Sequence, residues 1–204
     1  MNRYVITCMA ISFLLFCGGL YLYTQKWWND PVRVPGGIAA ENFGGAFTLV
    51  NQDGKIVTDQ DFRGTWRLIY FGFTYCPAIC PTELMKMTEA LDKLGDQANI
   101  ITPLFISVDP ERDTPDILKK YLTAFHLRFI GLTGSVAQVE DIKKSYKVYA
   151  AKVKDDTMTD YTVDHSSFIY LMDPQENLQA IYKLQDTSLI IADDIRSRLA
   201  AVTP

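Results

Sequence analysis

The chain has 204 residues, 48% of them hydrophobic, with 20 basic side chains against 24 acidic ones. Arg3 and Lys26 account for two of the 20 basic residues and no acid precedes them, so the part beyond Lys26 sets 18 basic against 24 acidic residues and carries −6. That acidity excludes nucleic acid as a partner, which needs a basic surface. The roughly 175 residues after position 28 show no internal repeat and suit one folded domain.

In chain order the first element is an uncharged apolar run from Tyr4 to Gln25. Its length predicts one transmembrane helix over about Val5 to Tyr23, with Tyr21, Tyr23, Trp27 and Trp28 as an interfacial aromatic belt. A cleaved signal peptide fits less well, because the run is too long and lacks a small-x-small site. A lipoprotein at Cys17 is disfavoured by the bulky Phe16 before it. With Met1–Tyr4 ahead of the run, the simplest insertion keeps the N-terminus in the cytoplasm. The absence of an Arg-rich transit segment then favours a single pass through a bacterial inner membrane, with the C-terminal domain in the periplasm. Residues 1–28 are thus expected as an anchor, 29–45 as a Pro/Gly linker, and 46–204 as the folded domain.

Phe47–Val50, a turn at Asp53-Gly54 and Lys55–Thr58 predict an opening hairpin. Trp66–Phe71 reads as a strand, followed by Cys76-Pro-Ala-Ile-Cys80-Pro81 and a helix over Thr82–Leu94 with Leu84, Met87, Leu91 and Leu94 on one face. The continuous apolar run Ile100–Val108 predicts a strand covered on both sides. Thr114-Pro115 and the Ser135/Gln138 pair mark the starts of two further helices. Strands near Tyr146–Val153, Ser167–Met172 and Leu178–Leu184 and a helix over Ser188–Ala200 complete an α/β sandwich, and a thioredoxin-like sheet is the version that places a cysteine motif at the start of its first major helix.

Cys76 and Cys80 are the only cysteines beyond the apolar run, since Cys8 and Cys17 fall within it. At a helix N-terminus the unpaired N–H groups and dipole favour thiolate. In an oxidising compartment the two form a disulfide unless a reductant or metal intervenes. One cysteine pair is too few for a usual structural zinc site, whereas thiolates with at most two histidines suit copper. From the spacing alone, metal binding, dithiol exchange and a structural disulfide all stay open. A peroxidase is disfavoured, because that pattern wants Thr three residues before the reactive cysteine and position 73 is Phe. On its own, His165 reads as a hydrogen-bonded histidine at a strand entrance and His126 as a helix C-cap. Asp164 reads as a solvated turn residue or a partner that orients the His165 ring.

Several blocks in order resemble the Sco/SenC family of membrane-anchored, thioredoxin-fold copper proteins that assist cytochrome c oxidase assembly. They are Gly44-Gly-Ala-Phe47, Asp61-Phe-Arg-Gly64, Tyr70-Phe-Gly-Phe-Thr-Tyr-Cys-Pro77, Cys80-Pro-Thr-Glu-Leu84, Phe105–Asp113, Gly131-Leu-Thr-Gly134 and Asp164–Leu171. The resemblance implies a copper ion held by Cys76, Cys80 and His165. It also implies an upstream copper donor and delivery to the CuA site of oxidase subunit II, or to another copper protein, by stepwise ligand exchange. A periplasmic thiol–disulfide reductase acting on the CuA-site cysteines, with Cys76 and Cys80 as its redox pair, is the alternative, and a copper or redox sensor a third. The Asp109–Asp113 loop is expected as scaffold held by Asp/Arg pairing. Two departures stand out: Ala78 occupies a place that is commonly acidic in the family, and Gln175-Glu176-Asn177 replaces a glycine turn, with Asn177 expected to take the left-handed conformation.

Overall fold

A strand hidden on both faces has no need for polar alternation, and the two apolar runs Trp66–Gly72 and Ile101–Ser107 become the centre of a sheet. Every residue of β4 (Trp66–Gly72) and all of β5 (Ile101–Ser107) except Thr102 is buried. The two run parallel, from Trp66 opposite Ile101 to Gly72 opposite Ser107. This computed structural model describes residues 9, 12–21, 32–38, 43–154 and 161–202. Around β4 and β5 the sheet has eight strands in the order β1 (Val32–Ile38), β10 (Leu178–Tyr182), β9 (Ile169–Met172), β4, β5, β6 (Ile130–Thr133), β2 (Thr48–Asn51), β3 (Ile56–Thr58). Strands β4, β5 and β6 are parallel and the flanking pairs antiparallel. Helix α2 (Ile79–Leu94) packs against α5 (Ser188–Val202), α3 (Pro115–Leu122) against β6, and α4 (Val136–Ser145) beside β2. A separate hairpin, β7 (Ala150–Lys154) with β8 (Tyr161–His165), lies outside the main sheet. This is the α/β, thioredoxin-like arrangement expected.

The core joins Leu68, Phe71, Leu84, Met87, Leu104, Phe105, Ile169 and Leu171, all with no exposed surface. Each such side chain contributes about 1.5–3 kcal/mol on burial, so the cysteine loop is anchored between two of the least deformable elements. Local signals behaved as expected in several places. Gly54 takes φ +75° in the opening hairpin turn, where Asn51 accepts from the backbone of Asp53 and Lys55. Thr114 caps α3 ahead of Pro115, and Ser135 with Gln138 forms a capping box on α4.

Four expectations need correction. Residues 29–45, expected as linker, contain strand β1, which completes the open edge of β10. Its register shifts between Arg33 and Ile38, a stretch that includes Pro35, and an edge strand tolerates a residue that cannot donate to the ladder. Helix α2 begins at Ile79 rather than Thr82, because Pro81 sits in the first turn, where its missing N–H breaks no bond. Strands β6 and β8 are present where no strand was expected. In the β9–β10 turn the left-handed residue is Glu176 (φ 72°), not Asn177, because the Asp173 carboxylate accepts from the N–H groups of both Gln175 and Asn177.

Residues 12–21 are helical (α1), with Cys17 exposed. Met9 is helical as well, and the rest of the expected 5–23 span, Cys8 included, lies outside the described residues. Among the described residues no helix is long and apolar enough to cross a membrane.

Candidate metal centre

Parallel strands open their carboxyl ends onto the loops that follow them, and the cysteine loop leaves β4 there beside the loop that leaves β5. Asp113 joins the two. Its carboxylate accepts from the Thr74 N–H at 3.1 Å, the Thr74 hydroxyl at 2.6 Å and the Ser107 hydroxyl at 2.6 Å. Burial pushes the Asp113 carboxyl up, and these hydrogen bonds oppose the shift. The cysteine loop is thereby held before it reaches Cys76.

Cys80 falls inside the first turn of α2 and is fully buried, whereas Cys76 stays in the preceding loop and is half-buried. The Cys80 backbone N–H donates to the Cys76 sulfur at 3.3 Å, the contact expected of a thiolate at a helix N-terminus. A hydrogen bond from the Cys80 thiol is the main reason the Cys76 thiol is pulled down to about 4. The backbone N–H groups of Cys80 and Ala78 help, while partial burial opposes. The same bond to Cys76, then burial and repulsion by the Cys76 charge, push Cys80 well above the ordinary thiol range. The pair shares one proton, and the geometry assigns the thiolate to Cys76. The two are not joined in a disulfide here.

His165 ends β8, opposite Ala150. Its Nδ1 lies 3.1 Å from the Ser166 carbonyl, which can only accept, so Nδ1 carries the proton and the Nε2 lone pair faces Cys80 Sγ at 3.4 Å. The two sulfurs and a ring nitrogen of His165 all lie within 4.8 Å of one another. Phe73 and Tyr70 pack edge-on against the imidazole, with centroids at 5.7 and 6.1 Å. The Tyr70 hydroxyl donates to Cys80 Sγ at 3.8 Å. Two thiol sulfurs and one neutral imidazole form a soft, three-donor set that suits a copper ion better than a hard cation.

Cys76, Cys80 and His165, separated by 85 residues between the last two, are thus brought together. Asp164 is exposed on β8 and does not orient the ring; the Ser166 carbonyl does. His126 lies away from the centre, past the end of α3. Its N–H donates to the Thr88 hydroxyl and its Nδ1 accepts from the Arg128 N–H. The Asp109–Asp113 loop is scaffold as expected, with Arg112 paired to Asp109 at 2.5 Å. Tyr70, Phe73 and Ser166 had no role assigned from sequence. The aromatic pair stood inside a recognised block, but nothing in their spacing ties them to a histidine far along the chain.

Gly72 has a steric reason. A Cβ there would stand 2.9 Å from Cys80 Sγ, 2.9 Å from Phe105 Cε2 and 2.9 Å from Tyr70 Cε1. Gly72→Ala is expected to displace the Cys80 sulfur and destabilise the fold by about 1–3 kcal/mol, as overpacking does. Denaturant unfolding of the reduced protein checks this, and an unchanged midpoint would show that the pocket yields.

The chain is 42% identical over 183 residues to Protein SCO1 homolog 1, mitochondrial, of Arabidopsis thaliana, an alignment covering 83% of this chain and 54% of that protein. The chain thus spans about half the length of that relative. Among solved structures, Bradyrhizobium japonicum ScoI with copper bound superposes with a TM-score of 0.71 at 42% identity, covering 76% of this chain and 98% of that one. BsSco, a member of the Sco family of cytochrome c oxidase assembly proteins in which a disulfide switch was identified, superposes with a TM-score of 0.62 at 32% identity, covering 85% and 95%. The family model described as SCO1/SenC matches residues 36–200, which include both cysteines and the histidine that the fold assembles. On this match, and on a fold that superposes over most of its length, the chain belongs to the SCO1/SenC family.

Proposed function

We propose that this chain binds copper through Cys76, Cys80 and His165 and assists assembly of the CuA site of cytochrome c oxidase. The observation that carries the reading is the convergence of three soft donors within 4.8 Å, with the imidazole Nε2 lone pair turned toward the buried sulfur. Copper is the cargo. Cys76 is the donor a partner reaches first, because it is half-buried while Cys80 has no exposed surface. Incoming thiolates replace Cys76 first and Cys80 last, so the metal passes by ligand exchange without any bond in a substrate being broken. The apolar run over residues 5–23 supports an N-terminal anchor in a bacterial inner membrane, with the domain from residue 46 facing the periplasm. Loading the reduced protein with Cu(I) and mixing it with metal-free oxidase subunit II tests delivery. Transfer of copper to the separated subunit II, which shows the CuA absorption once ferricyanide removes one electron per two-copper site, is the expected result, and retention of copper by this chain would count against it.

The asymmetric thiol pair supports a second reading, as a thiol–disulfide reductase. A Cys76 thiolate can attack a partner disulfide, displacing one partner thiolate, after which Cys80 attacks Cys76, releases the second partner thiol and leaves a Cys76–Cys80 disulfide. The two partner sulfurs are reduced, and this pair is oxidised.

Ala78 is the N-cap of α2 and offers no side-chain cap. Ala78→Asp is expected to add a capping acceptor worth about 1 kcal/mol. It also places a negative charge between the two cysteines, which stabilises Cu(II) over Cu(I). A redox titration of the copper-loaded variant should show a lower potential than the parent, and an unshifted potential would contradict this account of position 78.

A further inference from the structure

We infer that Arg112 is the positioning residue that fixes the His165 imidazole against the cysteine pair; this rests on the copper reading of the site. The third donor is carried by the β7–β8 hairpin, which shares no ladder with the main sheet. Residues 166–168 carry the chain from His165 into β9, where Ile169 pairs with Tyr70 of β4, but no strand hydrogen bond reaches His165 itself from the main sheet. The bonds Ser166 N–H to Tyr149 carbonyl and Lys143 Nζ to Ala150 carbonyl tie this region to itself and to α4. Beside the direct contacts of His165 with Phe73 and Cys80, Arg112 links the start of β8 to the cysteine loop.

Its guanidinium lies 3.7 Å from the ring centroid of Tyr161, the first residue of β8, and 4.8 Å from that of Tyr75, the residue before Cys76. While stacked, it donates from Nη1 to the Tyr161 carbonyl at 2.8 Å and from Nε to Asp109 at 2.5 Å. The Tyr161 hydroxyl closes the arrangement by donating to Asp109 at 2.7 Å. Phe73 sits between the two ends, with its ring centroid 5.9 Å from the guanidinium carbon and 5.7 Å from the His165 ring. One planar cation thus grips both the strand that ends in His165 and the two aromatic side chains of the cysteine loop. Only a guanidinium stacks with its face while donating in its plane; an ammonium keeps the charge and loses that geometry.

The test uses the full-length protein, reduced, with Cu(II) affinity measured by chelator competition and the metal-free dithiol potential measured in parallel. Arg112→Lys preserves the charge and is expected to lower Cu(II) affinity by about 10–100-fold, the usual effect of removing a residue that orients a ligand. In the His165→Ala background the same substitution is expected to change nothing further, and the dithiol potential is expected to hold in both. Tyr161→Leu breaks the stack from the strand side and keeps the Arg112–Asp109 pair. It should reproduce the loss, and it carries the comparison if thermal unfolding shows that Arg112→Lys does not fold. An unchanged Cu(II) affinity overturns the inference. So does an equal loss in the His165→Ala background, or a shifted dithiol potential, since either would make Arg112 general scaffold. Equal Cu(II) binding by the parent and His165→Ala overturns the histidine assignment itself, and is told apart because the His165 variant is then the silent one.

Discussion

Replacing His165 with Ala is expected to lower Cu(II) affinity by about 100-fold or more, since loss of a direct ligand exceeds the roughly 10–100-fold effect of removing its supporting partners. Cu(I) should suffer less, because two thiolates satisfy the softer ion. The Cys76–Cys80 reduction potential should hardly move, since the main hydrogen bond on the Cys76 sulfur comes from Cys80. The variant therefore separates the two functional readings, which share both cysteines and differ only in their need for the imidazole. Chelator competition and a thiol–disulfide equilibrium with glutathione give the two numbers. Undiminished Cu(II) binding would remove the chaperone reading and leave the reductase.

A second large effect concerns protons. At neutral pH the pair carries one thiolate on Cys76 and one proton held by buried Cys80. Copper binding to both sulfurs must expel that proton, because the ligating form is the thiolate. The sign is then set. Cys76, pulled down to about 4, is already deprotonated and adds no pH dependence near neutrality, whereas Cys80, pushed up, must be deprotonated by the metal. Cu(I) affinity should rise tenfold per pH unit between about pH 7 and 8.5, with one proton released per copper. Calorimetry in buffers of different ionisation enthalpy counts the proton. Two protons per copper would place Cys76 in the thiol form, and none would show that Cys80 is already ionised.

Much of this centre was legible from local signals. The apolar strand, the two cysteines and Pro81 specify a thiolate at a helix N-terminus with no knowledge of the rest of the fold. The start of α2 was misplaced because proline both ends helices and suits their first turn, and sequence alone does not say which applies. His165 was beyond local reading for another reason. Its meeting with Cys80 depends on a hairpin placed by Arg112, Tyr161 and Phe73, contacts of long sequence separation that leave no periodic trace. Read by itself it was an ordinary histidine, and only a resemblance across several blocks singled it out. Glu176 shows the same limit in a turn: asparagine is the better left-handed residue in isolation, yet the Asp173 carboxylate decides which of the three residues turns.

X-ray absorption of the protein loaded with one equivalent of Cu(I) tests the central claim most directly. Two sulfurs and one imidazole nitrogen in the copper shell, with the nitrogen lost in His165→Ala and a sulfur lost in Cys80→Ser, is the result expected. A shell made of sulfur alone, or one unchanged by either substitution, would contradict it.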